Sequence, residues 1–223
     1  NIEPYRKDIV QHPDIRSASA SSGLPAKGGY YGFPVSPKQA EIDSLSMAIN
    51  FMNDHDHVKT MGMEIVAGRD FSEDFGTDAQ EGFIINEAAA RKMGWENPLN
   101  QELTLNYHYQ GQVVKTGRVV GVVRDFHFNS LRKEVDPVIM HIAGGTYYNN
   151  HLTVRVSGHN LAETISFLEK KWLAFNPVRP LEYSFMDEVF GEMYAKEQQL
   201  GKVASTFSLL AILIACMGLF GLA

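Results

Sequence analysis

The sequence is poor in the features that carry chemistry. It has one cysteine, Cys216, which excludes an internal disulfide and any metal site built on a cysteine cluster. It contains no nucleophile elbow, P-loop, His-Glu-x-x-His zinc motif or dinucleotide-binding glycine fingerprint. Its 20 lysines and arginines stand against 26 acidic residues, so no nucleic-acid-binding surface is expected. These absences predict a protein that is not an enzyme and needs no cofactor.

The remaining composition, 44% hydrophobic and 21% charged, is ordinary for a globular protein, except at the end. Residues 203–223, "VASTFSLLAILIACMGLFGLA", carry no charge. A helix needs about 20 apolar residues to cross a bilayer. We therefore expect a membrane span to start at Val203, with a buried core helix as the alternative. The first residue is Asn1 rather than methionine, so we expect the chain to be a piece of a longer protein.

The hydrophobic pattern indicates strands alternating with helices. Its clearest unit is "FIINEAAARKMG", which predicts a strand, Asn86 as helix N-cap, Glu87 at the positive helix end and Gly94 as the stop. Residues 15–22 read as a strand, and the glycines and prolines of 23–37 predict a loop.

Two later stretches suggest further units. The segment from Leu103 to Val123 alternates and predicts a β-meander with turns at Gly111 and Gly117. "LTVRV", a helix capped by Asn160 and the strand "LEYSF" predict a βαβ unit.

The most ligand-like cluster is "DHDH", residues 54–57. His and Asp bind divalent metals, but adjacent helical residues point about 100° apart, so all four cannot face one ion. We therefore favour a solvated helix start with Asp54 as cap and Gly62 as the end, and expect no metal site. His141 and His151 have no acid nearby in sequence and are interpreted as structural.

A second candidate follows a strand in "VVGVVRDFHFNSL", where Arg124, Asp125 and His127 lie among Phe126 and Phe128. Asp125 and His127 share a side of an extended chain, so an acid–base dyad is conceivable. Without a nucleophile or a second carboxylate at a defined spacing, the polar rim of a hairpin is the better interpretation. Arg69 and Asp70 beside Gly68 likewise suggest a pair that stabilises a turn.

Four motifs in this order resemble the periplasmic domain of MacB-like ABC transporter permeases: "GRDF", "IINEAAARKMGW", "VVGVVRDFHFNSL" and "DPVIM". The later "YAKEQQLGK" and "FSLLAILIACMGLFGLA" resemble the start of an FtsX-like permease membrane region. The motif residues, which the resemblance marks as structural, are Gly68, Arg69, Asp70, Phe71, Asn86, Glu87, Gly94, Gly121, Asp125, Phe126 and Pro137.

The resemblance implies an α+β fold with two lobes. Residues 1–53 and 145–202 would form a porter-like βαβ lobe, residues 54–144 an inserted Sabre-like lobe, and residues 203–223 the start of a transmembrane helix. A coupling helix would run from the first lobe toward the membrane through Asp187, Tyr194, Glu197, Leu200 and Gly201.

The resemblance also implies a function. The domain would lie in the periplasm on an inner-membrane permease and couple cytoplasmic ATP hydrolysis to export or periplasmic work by mechanotransmission. The expected partners are a cytoplasmic ATPase and a second permease protomer, with a periplasmic adaptor as a further candidate. The alternative is a ligand-binding or sensing ectodomain, which should present a concave apolar site within the monomer.

Overall fold

The computed structural model describes residues 2–25, 31–37, 46–106, 113–126, 134–142, 151–191, 205–208, 211 and 217. The chain forms two compact units, Asn1–Leu181 and Glu182–Ala223. Within the described part, no helix has both the length and the apolar character that crossing a bilayer requires. The predicted span at 203–223 lies almost wholly outside the described residues, so it stays a prediction.

The first unit contains five helices and nine strands among its described residues. The helices are α1 (Glu3–Ile9), α2 (His57–Met61), α3 (Asp78–Glu81), α4 (Glu87–Lys92) and α5 (Leu161–Phe175). The strands are β1 (Ile15–Ser21), β2 (Tyr31–Pro37), β3 (Ser46–Asn53), β4 (Ile65–Gly68), β5 (Gly82–Asn86), β6 (Glu102–Asn106), β7 (Val113–Val123), β8 (Val138–Ile142) and β9 (His151–Val156).

Six strands close into a small barrel in the order β2-β6-β7-β5-β8-β3, because β2 also pairs with β3. The β5–β7 and β3–β8 pairs are parallel, and the other four pairs are antiparallel. Alternate side chains fill the interior, as in other small barrels. The buried side chains of the barrel core include Val35, Phe83, Ile85, Leu103, Leu105, Val119 and Ile139. Ala89 and Ala90 of α4 pack against them.

Of the three remaining strands, β4 pairs with β7, whereas β1 and β9 build a separate layer with the helices α1 and α5. β1 joins β3 through the pair Ser21–Asn53 and pairs along its length with β9. α1 and α5 cover this layer, where Tyr5 donates its hydroxyl to the carbonyl of Leu168 at 3.0 Å. The fold is therefore α+β. The division into porter-like and Sabre-like lobes at residues 54 and 144 stays a prediction.

A third apolar cluster lies outside the barrel, on the outer face of β3, β5 and β8. Phe51, Ile84 and Met140 of the strands pack there with Val58 of α2 and with Phe71. This cluster brings the "GRDF" motif against the barrel wall. The motif is thus placed by burial of its phenylalanine.

Several predicted elements are confirmed. Asn86 caps α4 by accepting a hydrogen bond from the N–H of Ala89 at 3.0 Å. Gly62 and Gly94 follow their helices with φ of 68° and 70°, the left-handed conformation expected at such stops.

The predicted cap of α2 was wrong by two residues. Asp56 is the N-cap, and a carboxylate oxygen of Asp54 accepts a hydrogen bond from the N–H of Asp56. Asn160 holds the N-cap position of α5, but its side chain makes no capping bond.

Three other predictions were wrong. Residues 31–37 form β2 rather than a loop; Pro34 is tolerated because the pairing with β6 begins only at Val35. Gly117 is not in a turn, because it lies inside β7 and pairs with Leu103 of β6. A side chain at Gly117 would collide with the carbonyl of Glu81. Residues 181–185 form no strand, so the predicted βαβ unit has only its first strand and its helix among the described residues.

The second unit is described only in part. Residues 186–191, which include Asp187, are helical, and the ring of Tyr183 meets that of Phe185 edge-on at 5.8 Å. The other predicted coupling-helix residues, Tyr194, Glu197, Leu200 and Gly201, lie outside the described residues.

Candidate functional site: a charged cleft beside the first helix

The "GRDF" motif begins where two glycines allow the paired strands β4 and β7 to lie close to neighbouring backbone. Gly68 of β4 is paired with Gly121 of β7, and φ at Gly68 is 73°. A Cβ at Gly68 would clash with the carbonyl oxygen of Val120, and one at Gly121 with that of Arg69. Both motif glycines are therefore required by backbone contact. This brings Arg69 onto the end of β7.

Arg69 forms a bidentate ion pair with Asp78, with Nη1–Oδ2 at 2.6 Å and Nη2–Oδ1 at 2.8 Å. Its guanidinium also lies 3.8 Å from the ring centre of Phe75. Burial raises the pKa of Asp78, but hydrogen bonds from Arg69 and from the N–H of Ser72 outweigh burial and leave the pKa below its usual value. The pair fixes the loop between β4 and α3.

Asp125, the acid of the conceivable dyad, is held in a clamp. Its Oδ1 accepts from the N–H of Ala88 at 2.8 Å, and its own N–H donates to Oε2 of Glu87 at 2.9 Å. Arg91 donates to the remaining carboxylate oxygen. These contacts tie the end of β7 to the first turn of α4. His127 lies outside the described residues.

Two further motif residues make contacts within the fold. Pro137 accepts the N–H of Ile49 at its carbonyl, which aligns β8 with β3. Phe126 packs on the cluster outside the barrel. The motif residues thus lie in β4 and the loop after it, in the C-terminal part of β7, around α4 and at the start of β8. They contact one another in pairs, such as Gly68 with Gly121 and Glu87 with Asp125.

The four side chains of "DHDH" do not converge on one point, although Asp54 and Asp56 have carboxylate oxygens 3.7 and 2.7 Å from the Arg6 guanidinium. Asp54 accepts from the N–H of Ala20, Asp56 pairs with Arg6 at 2.7 Å, and the buried His57 meets Ser19 at 3.0 Å. Nδ1 of His55 lies 4.0 Å from a carboxylate oxygen of Glu73. Within the described ranges, no three His, Cys, Asp or Glu side chains could hold one metal ion.

The structure instead gathers charge in an open cleft of about 510 Å³. Its walls are α1, the start of α2 and the loop after "GRDF", and it is lined by Arg6, Lys7, Val10, His55, Asp56, Phe71, Ser72, Glu73 and Asp74. No sequence pattern predicted this cleft, although His55 and Asp56 of "DHDH" and Phe71 of "GRDF" line it. Only the spacing of Glu3 and Arg6, one helical turn apart, could have indicated its central ion pair.

Arg6 organises the cleft. It donates to both carboxylate oxygens of Glu3 at 2.7 and 2.9 Å, to Asp56 at 2.7 Å and to the carbonyl of Ala18 at 3.2 Å. The hydrogen bonds that Arg6 donates to Glu3 raise the pKa of Arg6 above its ordinary value. This one side chain therefore joins α1, β1 and the start of α2. Lys7 and Glu73 have side chains that are mostly exposed at the rim.

Beside this cleft, burial raises the pKa of Asp70 to about 6, and the charge of Asp56 adds to the rise. The lining thus combines cations, carboxylates and an imidazole. These groups suit a polar partner surface of mixed charge.

No family model and no curated protein matches this sequence. Its fold, however, has solved counterparts. The periplasmic region of MacB from Actinobacillus actinomycetemcomitans matches with a TM-score of 0.62 and 14% identity, over 86% of this chain and 82% of that one. The extracellular domain of the noncanonic ABC-type transporter YknZ from Gram-positive bacteria matches with a TM-score of 0.57 and 13% identity, over 80% of this chain and 85% of that one. The chain has the fold of a MacB-like periplasmic domain.

Proposed function

We propose that this chain is the periplasmic domain of an inner-membrane ABC transporter permease. It couples ATP hydrolysis in the cytoplasm to export, or to other work in the periplasm, by mechanotransmission. The observation that carries the proposal is the likeness to the MacB periplasmic region over 86% of the chain. Because a fold can host several functions, the ordered motifs and the uncharged segment 203–223 are needed as independent support.

The proposed role is not enzymatic. Its support is that the side chains best suited to acid–base chemistry make contacts that hold the fold together. Asp125 clamps α4, and Asp78 is paired with Arg69. His57, with no exposed surface, is out of reach of a substrate.

The polarity of the cleft favours coupling over sensing. Small-molecule sites are mostly apolar, with a few placed polar groups. Here most of the lining residues are charged or polar, and Arg6 is already paired with Glu3 and Asp56. A partner protein with charged side chains suits such a surface better than a small apolar ligand. The proposed partners are a cytoplasmic ATPase, a second protomer and a periplasmic adaptor.

Cysteine labelling of the full-length permease tests the location. Cys216 is the only cysteine of this chain, so a permease in which Cys216 and any cysteine outside this chain are replaced by serine can carry one reporter. Val178 is 86% exposed, and Val178→Cys should react with a membrane-impermeant maleimide in cells whose outer membrane alone is permeable. The matched control is Val119→Cys, which is fully buried and should react only after denaturation. Labelling of Val178→Cys only after rupture of the inner membrane would place the domain in the cytoplasm and refute the proposal.

A further inference from the structure

The strand β1 is unusual because its face toward α2 is built from serines. Ser17, Ser19 and Ser21 are all buried, and they alternate with Ala18 and Ala20 on the other face. Ala18 packs with the apolar cluster under α1 and α5. Serine hydroxyls that leave water need hydrogen-bond partners, so this face must be a polar layer within the fold.

His57 of α2 lies on this layer, where its Nδ1 is 3.0 Å from Oγ of Ser19. The hydroxyl and this ring nitrogen therefore satisfy each other. Nε2, the other ring nitrogen, is buried and has no partner among the described residues.

Four more buried polar atoms share this condition: Oδ1 and Nδ2 of Asn53, Oγ1 of Thr60 and Oγ1 of Thr153. Register brings them to the same face. Thr153 pairs with Ser19, and Asn53 pairs with Ser21, so each lies beside a serine of the layer. Thr60 is buried on α2 one turn after His57. Asn53, His57, Thr60 and Thr153 are the polar seam.

We propose that the polar seam binds ordered water molecules between α2 and the strands β1, β3 and β9. The seam offers the ring nitrogen Nε2, which accepts or donates according to the tautomer, a donor and an acceptor in the Asn53 amide, and two hydroxyls that can do either. Water is a small neutral ligand that can donate to or accept from each of these groups at once, including Nε2 in either tautomer. The water would link α2, which connects β3 to β4, to these strands through hydrogen bonds that can break and re-form.

Two substitutions of the same shape test this in the 223-residue chain. Thr60→Val and Thr153→Val each remove one hydroxyl without opening a cavity. If water bridges the seam, each variant leaves a water molecule or a protein atom without a hydrogen-bond partner. The equilibrium constant for unfolding should then rise about tenfold. Thr116→Val, at an exposed strand position, is the control and should change that constant by less than about threefold.

The opposite result has an equally clear meaning. If the seam is dry, deleting an unpaired hydroxyl removes a desolvation cost, and the unfolding constant should fall or stay unchanged. A high-resolution crystal structure gives an independent answer. Water within about 3.2 Å of His57 Nε2 supports the proposal, whereas a direct bond from the Thr60 hydroxyl or the Asn53 amide to Nε2 would overturn it.

Discussion

Oδ1 of Asn86 accepts the N–H of Val138 at 2.9 Å, and the same atom accepts the N–H of Ala89 at 3.0 Å. One side-chain oxygen therefore caps α4 and fixes the start of β8. The Asn86 amide nitrogen completes the junction by donating to the carbonyl of Asp136. A residue predicted as a helix cap is thus also a tie between two elements 50 residues apart.

Replacement of Asn86 should cost more than a cap. Asn86→Ala leaves two buried N–H groups and one carbonyl without this partner, so we expect the free energy of unfolding to fall by about 2–4 kcal/mol. Asn86→Asp keeps an acceptor oxygen and should cost less. Urea denaturation of both variants measures the difference, and equal stability of Asn86→Ala and the parent would contradict the junction.

The Arg69–Asp78 pair should be sensitive to geometry as well as charge. Asp78→Asn leaves a guanidinium without its carboxylate and should lower the free energy of unfolding by roughly 2–4 kcal/mol. Arg69→Lys keeps the charge but loses the two-pronged contact, so it should also destabilise, by a smaller amount. Thermal unfolding of the two variants is the measurement. A lysine variant as stable as the parent would show that the fork geometry is unimportant.

Two glycines provide a matched contrast. Gly94 has φ of 70° with open space around it, so Gly94→Ala should cost about 1 kcal/mol of backbone strain alone. Gly117→Ala would drive a methyl group into the carbonyl of Glu81 and should cost several times more, through displacement of α3. Gly94→Asn, which tolerates the left-handed conformation, is the control for the first variant. Similar losses for both alanine variants would contradict the close approach at Gly117.

Acid should destabilise the protein through two buried histidines. Burial lowers the pKa of His57 to about 4, and burial with the nearby charge of Lys115 lowers that of His141 to about 4. The unfolded chain binds more protons between about pH 4 and 6.5, so stability is full above 6.5 and falls toward pH 4, on the order of 3 kcal/mol per histidine.

Unfolding measured from pH 4 to 7 tests this with His57→Asn, whose amide can still donate to Ser19. We expect a shallower acid slope than in the parent, while His159→Asn, at an exposed position, should leave the slope unchanged. Asp70 acts in the opposite direction. Its pKa is raised to about 6, so its ionisation lowers stability as the pH rises from about 4 to 6. An unaltered slope in His57→Asn would exclude a neutral buried His57.

A proline at Gln198 tests mechanical coupling. Gln198 lies between the helical residues 186–191 and the uncharged segment, and a proline inside a helix removes a hydrogen bond and kinks it. In the full-length transporter, Gln198→Pro should leave ATP hydrolysis running while export fails, with Gln198→Ala as the control. Unchanged export by the proline variant would contradict mechanotransmission and favour the sensing alternative.

Sequence reasoning succeeded where the cause is local. The cap at Asn86, the stops at Gly62 and Gly94, and most strands follow from side-chain spacing and from backbone preferences of single residues. It failed for β2 and Gly117 because their roles depend on distant neighbours. Pro34 is compatible with a strand only because of where β6 pairs, and Gly117 is needed only because α3 ends against it.

By itself, then, the sequence determined the alternation of elements, the helix ends and the ordered motifs, because each depends on contacts within a few residues. Only the tertiary structure decided that six strands close into a barrel, that Asp125 is a clamp, and that charge gathers around Arg6. It also decided that the serine face of β1 meets His57. The physical reason is that pairing partners and burial are set by residues far apart in the chain, whose register no local pattern contains.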